Sequence, residues 1–194
     1  MTGKRILIIN GHPDPDRSRF VHALAERYAE GAAAGGHQLR RIEIATMGID
    51  PLTSRHAWEE GDAPPTIAAA QEDILWAEHI LLLYPLWVGD VPALLKAFFE
   101  QVMRPGFAFR YREGGLPEKK LKGRTAHIVV TMGMPSVIYR LFFGAHSLKS
   151  LERNILKFVG IAPSRRSIIG NVEGDKGVRE YWLTRMTVNG RAEQ

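Results

Sequence analysis

A parallel β-sheet with helices on both faces is the fold this sequence predicts. Short continuous apolar runs lead there first: residues 6–9, 80–84 and 125–131 read as strands buried on both sides. Segments of helical period alternate with them, as in a wound α/β sheet. The chain of 194 residues is long enough for a single such domain, residues 1–194, with a full core.

Residues 4–10 form the first strand, centred on Ile6-Leu7-Ile8-Ile9. Gly11-His12-Pro13-Asp14-Pro15-Asp16 is rich in turn formers. Ser18 or Asp16 is placed to cap the helix that follows, and Gly35-Gly36 ends it. Residues 38–44 alternate and read as the second strand. Residues 46–65 mix prolines, glycines and charges without a period and read as a long excursion. A helix over 66–77 leads into the third strand. Pro85 stops that strand, because proline has no backbone donor for the ladder. A helix over 91–103 follows, with Val91, Leu94, Leu95, Phe98, Phe99, Val102 and Met103 on its apolar stripe. Residues 104–123 are a second excursion, and Phe107, Phe109 and Tyr111 at alternate positions predict an extended stretch there. Residues 125–131 form the fourth strand and 132–145 a glycine-containing loop. A helix over 147–159, a fifth strand over 165–170 and a closing helix marked by Val178, Tyr181, Trp182 and Met186 complete the chain. The tail is expected to fray from Asn189. Five strands in one small domain favour the flavodoxin-like three-layer sandwich, sheet order 2-1-3-4-5.

Composition narrows the function classes. Hydrophobic residues make up 45% of the chain and charged residues 24%, ordinary globular values. The net charge is +5, with acids and bases mostly interspersed. The cluster Lys119-Lys120-Leu121-Lys122-Gly123-Arg124 reads more simply as a solvated loop than as a nucleic-acid surface, although anionic dinucleotides would be drawn to it. No cysteine is present, which removes disulfides, thiolate nucleophiles and Cys-based metal sites. His22, His37, His56, His79 and His127 are scattered without a ligand spacing, so no metal is expected. No signal-peptide pattern or membrane-length apolar run appears, and a cytoplasmic location is expected.

The most informative stretch joins the third strand to its helix: Tyr84-Pro85-Leu86-Trp87-Val88-Gly89-Asp90. Connecting loops are usually polar, yet this one is apolar and aromatic. It lies at the carboxyl end of a strand, where open α/β sheets bind ligands. Leu86, Trp87 and Val88 suit the face of a flat ring. Taken alone, Trp87 fits packing against a helix or a partner subunit equally well. In the loop after the first strand, Ser18, Arg19 and a helix start suit a phosphate. By residue type a plain capping serine with a solvent-facing arginine is the simpler account, and His12 beside a proline turn reads as structural. The loop after the fourth strand offers Thr131, Met132, Gly133, Tyr139 and His146. Glycine permits close backbone approach, and tyrosine and histidine can carry protons or merely bond the backbone.

Convergence shifts the weighing. In the order 2-1-3-4-5 these loops are neighbours, so a phosphate-capable helix start, an aromatic wall and a glycine loop meet at one edge. Together they suit a flavin nucleotide. Competing signatures are missing: no G-x-G-x-x-G, no Walker A and no G-x-S-x-G occurs.

Gly11-His12-Pro13 with Ser18-Arg19-Phe20, Tyr84 to Gly89 with Pro92 to Lys96, Pro105-Gly106-Phe107-Ala108-Phe109, Thr131-Met132-Gly133, and Tyr139 with Gly144-Ala145-His146 carry a resemblance. The chain resembles the flavin-dependent NAD(P)H:quinone oxidoreductases of the flavodoxin-2 type, over roughly residues 4–160. The resemblance implies that His12, Ser18, Arg19 and Phe20 hold the flavin's phosphate side. Pro85, Leu86, Trp87 and Val88 would line the isoalloxazine, and Thr131, Met132 and Gly133 its pyrimidine edge. Tyr139 and His146 match the pair that supports the reduced flavin's negative charge. Phe109 and Tyr111 match aromatics that overhang the substrate from a second subunit, so a homodimer is expected. Met134 replaces a family glycine, the Tyr139–His146 spacing is one residue longer than in the mammalian enzymes, and Phe109 stands where they carry tyrosine. A C-terminal extension of those enzymes has no counterpart here, which leaves FMN and FAD both open.

The implied activity is two-electron transfer, as hydride, from NAD(P)H through the flavin to a quinone-like acceptor. An ancillary subunit docked on a potassium-efflux transporter would use the same site. A pure electron carrier fits less well, because carriers usually present a strongly acidic face.

Overall fold

The computed structural model describes residues 3–174 and 176–193. β1 (Arg5–Asn10), β2 (Gln38–Glu43), β3 (His79–Pro85), β6 (Thr125–Thr131) and β7 (Ser164–Ile169) form one five-stranded sheet in the order β2-β1-β3-β6-β7. Every pairing in it is parallel. Counted along this sheet the order is 2-1-3-4-5, the flavodoxin-like arrangement that the alternation of strands and helices predicts.

Side-chain alternation explains the layers. Ile6 and Ile8 of β1 face one core, with Leu24, Ala25 and Tyr28 of α1 (Phe20–Ala34) and Met186 of α8 (Lys176–Arg191). Leu7 and Ile9 face the other core, with Ile74 of α3 (Pro65–Trp76) and Leu95 and Phe98 of α4 (Ala93–Val102). The continuous apolar runs are therefore strands buried on both faces.

Contrary to expectation, the C-terminal segment does not fray at Asn189. α8 runs to Arg191, with Asn189 1% exposed. Glycines permit this. A Cβ on Gly190 would stand 2.1 Å from Tyr28 O, and one on Gly31 2.0 Å from Thr187 O. Only glycine allows the two helix backbones this approach.

Three further segments depart from expectation. The 46–65 excursion contains a short helix, α2 (Arg55–Glu59), whose start is capped by Ser54 Oγ accepting from Ala57 N at 3.1 Å. Buried Arg104 clasps it, donating to Ala57 O at 2.7 Å and Gly61 O at 2.8 Å. The 104–123 excursion is extended only at β4 (Phe109–Arg110), paired antiparallel with β5 (Glu118–Lys119). The 132–145 loop contains α5 (Ser136–Leu141), entered through Pro135, whose fixed φ of −57° suits a helix start. After it come α6 (His146–Ser150), a π-helical stretch Leu151–Leu156 and α7 (Lys157–Val159), one continuous helical run.

The sheet's amino edge holds a pH-sensitive group. His79 is buried, with Nδ1 at 2.6 Å from Thr125 Oγ1 and Nε2 without a partner. Burial, then the nearby His127, lowers its pKa to about 4. The unfolded chain takes up this proton near pH 6.5, the folded chain only near 4. Stability is therefore full above about pH 6.5 and falls as pH drops toward 4, by about 3 kcal/mol from this group. Urea denaturation at pH 7 and at pH 4.5 should show the loss, and His79→Leu should flatten it. An unchanged slope in the variant would assign the acid sensitivity elsewhere.

Candidate functional site

The carboxyl ends of β1, β3 and β6 open into a cleft of about 580 Å³. Beneath the loop that lines one wall sits buried Asn10, the last residue of β1. Asn10 Oδ1 accepts from His12 N at 3.1 Å, and Asn10 Nδ2 donates to His22 Nδ1 at 2.7 Å. That leaves His22 Nε2–H to donate to Asp14 O at 2.9 Å. One asparagine thus ties the loop after β1 to the first turn of α1. Burial, then His22, lowers the pKa of His12, so its ring is neutral at neutral pH.

The 14–19 segment is a chain of side-chain turns. Asp14 Oδ1 accepts from Asp16 N, and Asp16 Oδ1 from Ser18 N, both at 2.9 Å. These amides, and Arg19, hold both carboxyls below the usual range. Ser18 Oγ donates to Asp16 Oδ2 at 2.8 Å, so neither residue caps α1 as the sequence suggested. The N-cap is Arg19, with no side-chain bond to the helix. The opening amides, at Phe20 and Val21, are therefore uncapped where those residues line the cleft. Arg19 turns its guanidinium onto Asp14, Nε to Oδ2 at 2.7 Å.

The second wall is Pro85, Leu86 and Trp87. Leu86 N donates to Thr131 O at 2.7 Å, which fixes the wall to the neighbouring strand. Trp87 and Asp90 exchange both backbone bonds at 3.0 Å, closing a tight turn. Val88 and Gly89 occupy its centre at φ 49° and 79°. The Trp87 ring meets His12 edge-on, centroids 5.9 Å apart. Val88 does not line the cleft; it stands fully exposed at the turn's tip and borders an adjoining groove. A β-branched residue at positive φ is strained. Val88→Asn should raise stability by about 1 kcal/mol, since asparagine tolerates this backbone. A fall in the urea midpoint would mean that the valine side chain is held by contacts instead.

The third wall is Thr131, Met132 and Gly133. Thus His12, Ser18, Arg19, Phe20, Pro85, Leu86, Trp87, Thr131, Met132 and Gly133, brought together from separate loops, share one cleft. A fourth loop, absent from the sequence reading, closes it: Val172 and Glu173 after β7, with Arg179 from α8. The Glu173 carboxylate lies 3.5 Å from where a Gly133 Cβ would be. The Arg179 guanidinium sits over the Phe20 ring at 4.8 Å. The signal for this loop was legible, because any loop after a neighbouring strand reaches the same edge.

The remaining sequence candidates lie elsewhere. Tyr139 is buried, its hydroxyl 2.7 Å from Ser147 Oγ and accepting from Leu148 N at 3.3 Å. It fastens the start of α6 and does not reach the cleft lining. His146 is exposed, folds back on Gly144 and lines a different hollow. Phe109, expected to overhang a substrate, is instead a core residue only 2% exposed; exposed Tyr111 packs edge-on against it at 5.2 Å in an apolar hollow of about 730 Å³. A groove running from Trp87 and Val88 shares Lys96, Ser150 and Ile155 with that hollow, so the two adjoin.

Comparison with known proteins places the fold. The Flavodoxin_2 family model, described as flavodoxin-like fold, matches residues 4–181, and the chain belongs to that family. It is 27% identical to NAD(P)H dehydrogenase (quinone) 1 of Rattus norvegicus, over 96% of this chain and 77% of that one. It is 36% identical to FMN-dependent NADH:quinone oxidoreductase 2 of Listeria innocua, over 63% of each chain. Among solved structures, the NAD(P)H:quinone oxidoreductase from Methanothermobacter marburgensis superposes with a TM-score of 0.83 at 25% identity, covering 100% of both chains.

Proposed function

We propose that this member of the Flavodoxin_2 family is an NAD(P)H-dependent flavoprotein oxidoreductase that passes two electrons, as hydride, to a quinone-like acceptor. One observation carries the reading: uncapped helix-start amides, an aromatic wall and a glycine loop converge on a single cleft from loops far apart in sequence. The donor set fits a flavin nucleotide, with anion-binding groups at one end and apolar surface at the other. FMN is the form we assign, following the FMN-dependent relative. We take the chain, residues 1–194, as a single flavin-binding domain.

A bound flavin would supply the hydride chemistry between NAD(P)H and the acceptor. The chain's own residues bind and orient. The Phe20 and Val21 amides would take the phosphate, and Ser18, Arg19 and His12 hold that loop in shape through their bonds to Asp16, Asp14 and Asn10. Leu86 and Trp87 cover the ring and exclude water. The backbone of Thr131, Met132 and Gly133 meets its polar edge. Tyr139 is a positioning residue: its hydroxyl holds the start of α6, the helix that begins at His146.

The chain also forms a homodimer in this reading. The hollow around Phe109 and Tyr111 is apolar, and its charges pair within the chain, Arg55 with Glu59 and Lys96 with Glu100. Such a surface buries against a copy of itself without like-charge cost, and brings exposed Tyr111, backed by buried Phe109, toward the partner's acceptor.

The test is anaerobic. Protein reconstituted with FMN should lose its yellow colour on addition of NADH or NADPH and regain it with a quinone. Colour that persists in excess of both nicotinamides would overturn the assignment.

A further inference from the structure

A second surface is apolar and not charge-balanced. Val137, Ile138, Leu141, Phe142 and Phe143, on α5 and the turn after it, all stand exposed, Leu141 by 80% and Phe142 by 81%. Phe142 and Phe143 pack edge-to-face at 5.0 Å, so the tip is preformed. A cluster of large apolar side chains held in water marks a contact surface. α5 follows β6, so the tip rises from the sheet edge that carries the cleft.

The surroundings of this tip are cationic. Exposed Arg140 lies within it. His146 N donates to Phe143 O, joining the tip to the next helix. From there Lys149, Arg153 and Lys157 repeat at helical spacing and line one hollow of about 530 Å³ with His146 and Arg166. Glu152 is the carboxylate in that lining. It is 4% exposed and is consumed by Ser164 Oγ, Arg166 and Lys157. Outward, the hollow presents positive charge.

We propose that this face docks on an anionic lipid bilayer, with Leu141, Phe142 and Phe143 entering the headgroup boundary and the cations meeting lipid phosphates. An apolar tip joined to a Lys- and Arg-lined hollow on the next helix is an arrangement that can bind such an interface without spanning it. No helix among the described residues is long and apolar enough to cross a membrane. A second copy of the chain is the poorer occupant. Across a two-fold axis, Lys149 and Arg153 would face themselves, and Glu152, the carboxylate of that lining, is already taken by Arg166, Lys157 and Ser164. The balanced face around Phe109 suits self-association better. The proposal is independent of the flavin assignment, and its test needs no cofactor.

The full chain is sedimented with phosphatidylcholine vesicles made with and without phosphatidylglycerol. Binding is expected only with phosphatidylglycerol, and it should fall steeply at high salt as the charges are screened. Leu141→Ser with Phe142→Ser, and separately Lys149→Glu with Arg153→Glu, should each lower the bound fraction about tenfold or more. Circular dichroism and the thermal midpoint check that both variants fold. Equal sedimentation with both vesicle types, or variants that bind like the parent, would overturn the proposal. So would absent vesicle binding together with a lower solution mass for the Leu141/Phe142 variant, because the face would then join two copies.

Discussion

Trp87→Ala is expected to weaken FMN binding about thirtyfold, a loss of about 2 kcal/mol, while changing the stability of the chain little. The reason lies in how the residue is held. Its backbone is locked by paired bonds to Asp90 and its ring is braced by His12, yet the side chain is half exposed on the cleft wall. A core tryptophan would be buried, and its truncation would cost stability. This one is positioned by the loop and finds its contact area when a ring lies against it. Titration of flavin fluorescence measures the affinity, and urea denaturation the stability. A variant that binds FMN like the parent but unfolds easily would show that Trp87 serves packing.

The largest effect on stability is expected at the crossing of α1 and α8. Gly190→Ala places a Cβ 2.1 Å from Tyr28 O, a contact that no rotamer relieves. The helices must separate, and the chain should lose about 3 kcal/mol. The damage should reach the cleft, because α1 opens it with Phe20 and Val21, and α8 lays Arg179 over Phe20. FMN affinity should therefore fall together with the urea midpoint. Gly115→Ala is the control: a Cβ there meets nothing within 4 Å, and its effect should stay within about 0.5 kcal/mol. Equal midpoints for the two variants would mean that the helices accommodate the methyl group.

Much of this architecture was legible because it rests on patterns a single chain displays. Runs such as Ile6–Ile9 and Ile80–Tyr84 announce strands covered on both faces, and the alternation with helices fixes a parallel sheet. The order of that sheet then brings the loops after β1, β3 and β6 together. What escaped depends on contacts between distant residues. The 132–145 loop shows no long apolar period, so α5 left no signal beyond Pro135. Asn189 sits near the chain's end, and the close Gly31–Gly190 crossing of α1 and α8 is a contact the sequence does not display. Val88 was grouped with its apolar neighbours, but the positive φ values at Val88 and Gly89 turn it away from the cleft. Tyr139 and His146 were paired through the family resemblance. Residue types could not show that Ser147 would claim the Tyr139 hydroxyl.

The central claim is that the loops after β1, β3 and β6 form one flavin-nucleotide site. Equilibrium titration of FMN into flavin-free protein tests it most directly, read by quenching of flavin fluorescence in the parent and in the Trp87→Ala and Ser18→Ala variants. The account predicts saturation at one FMN per chain, with both variants weakened. Absent quenching, or binding that neither variant alters, would contradict it.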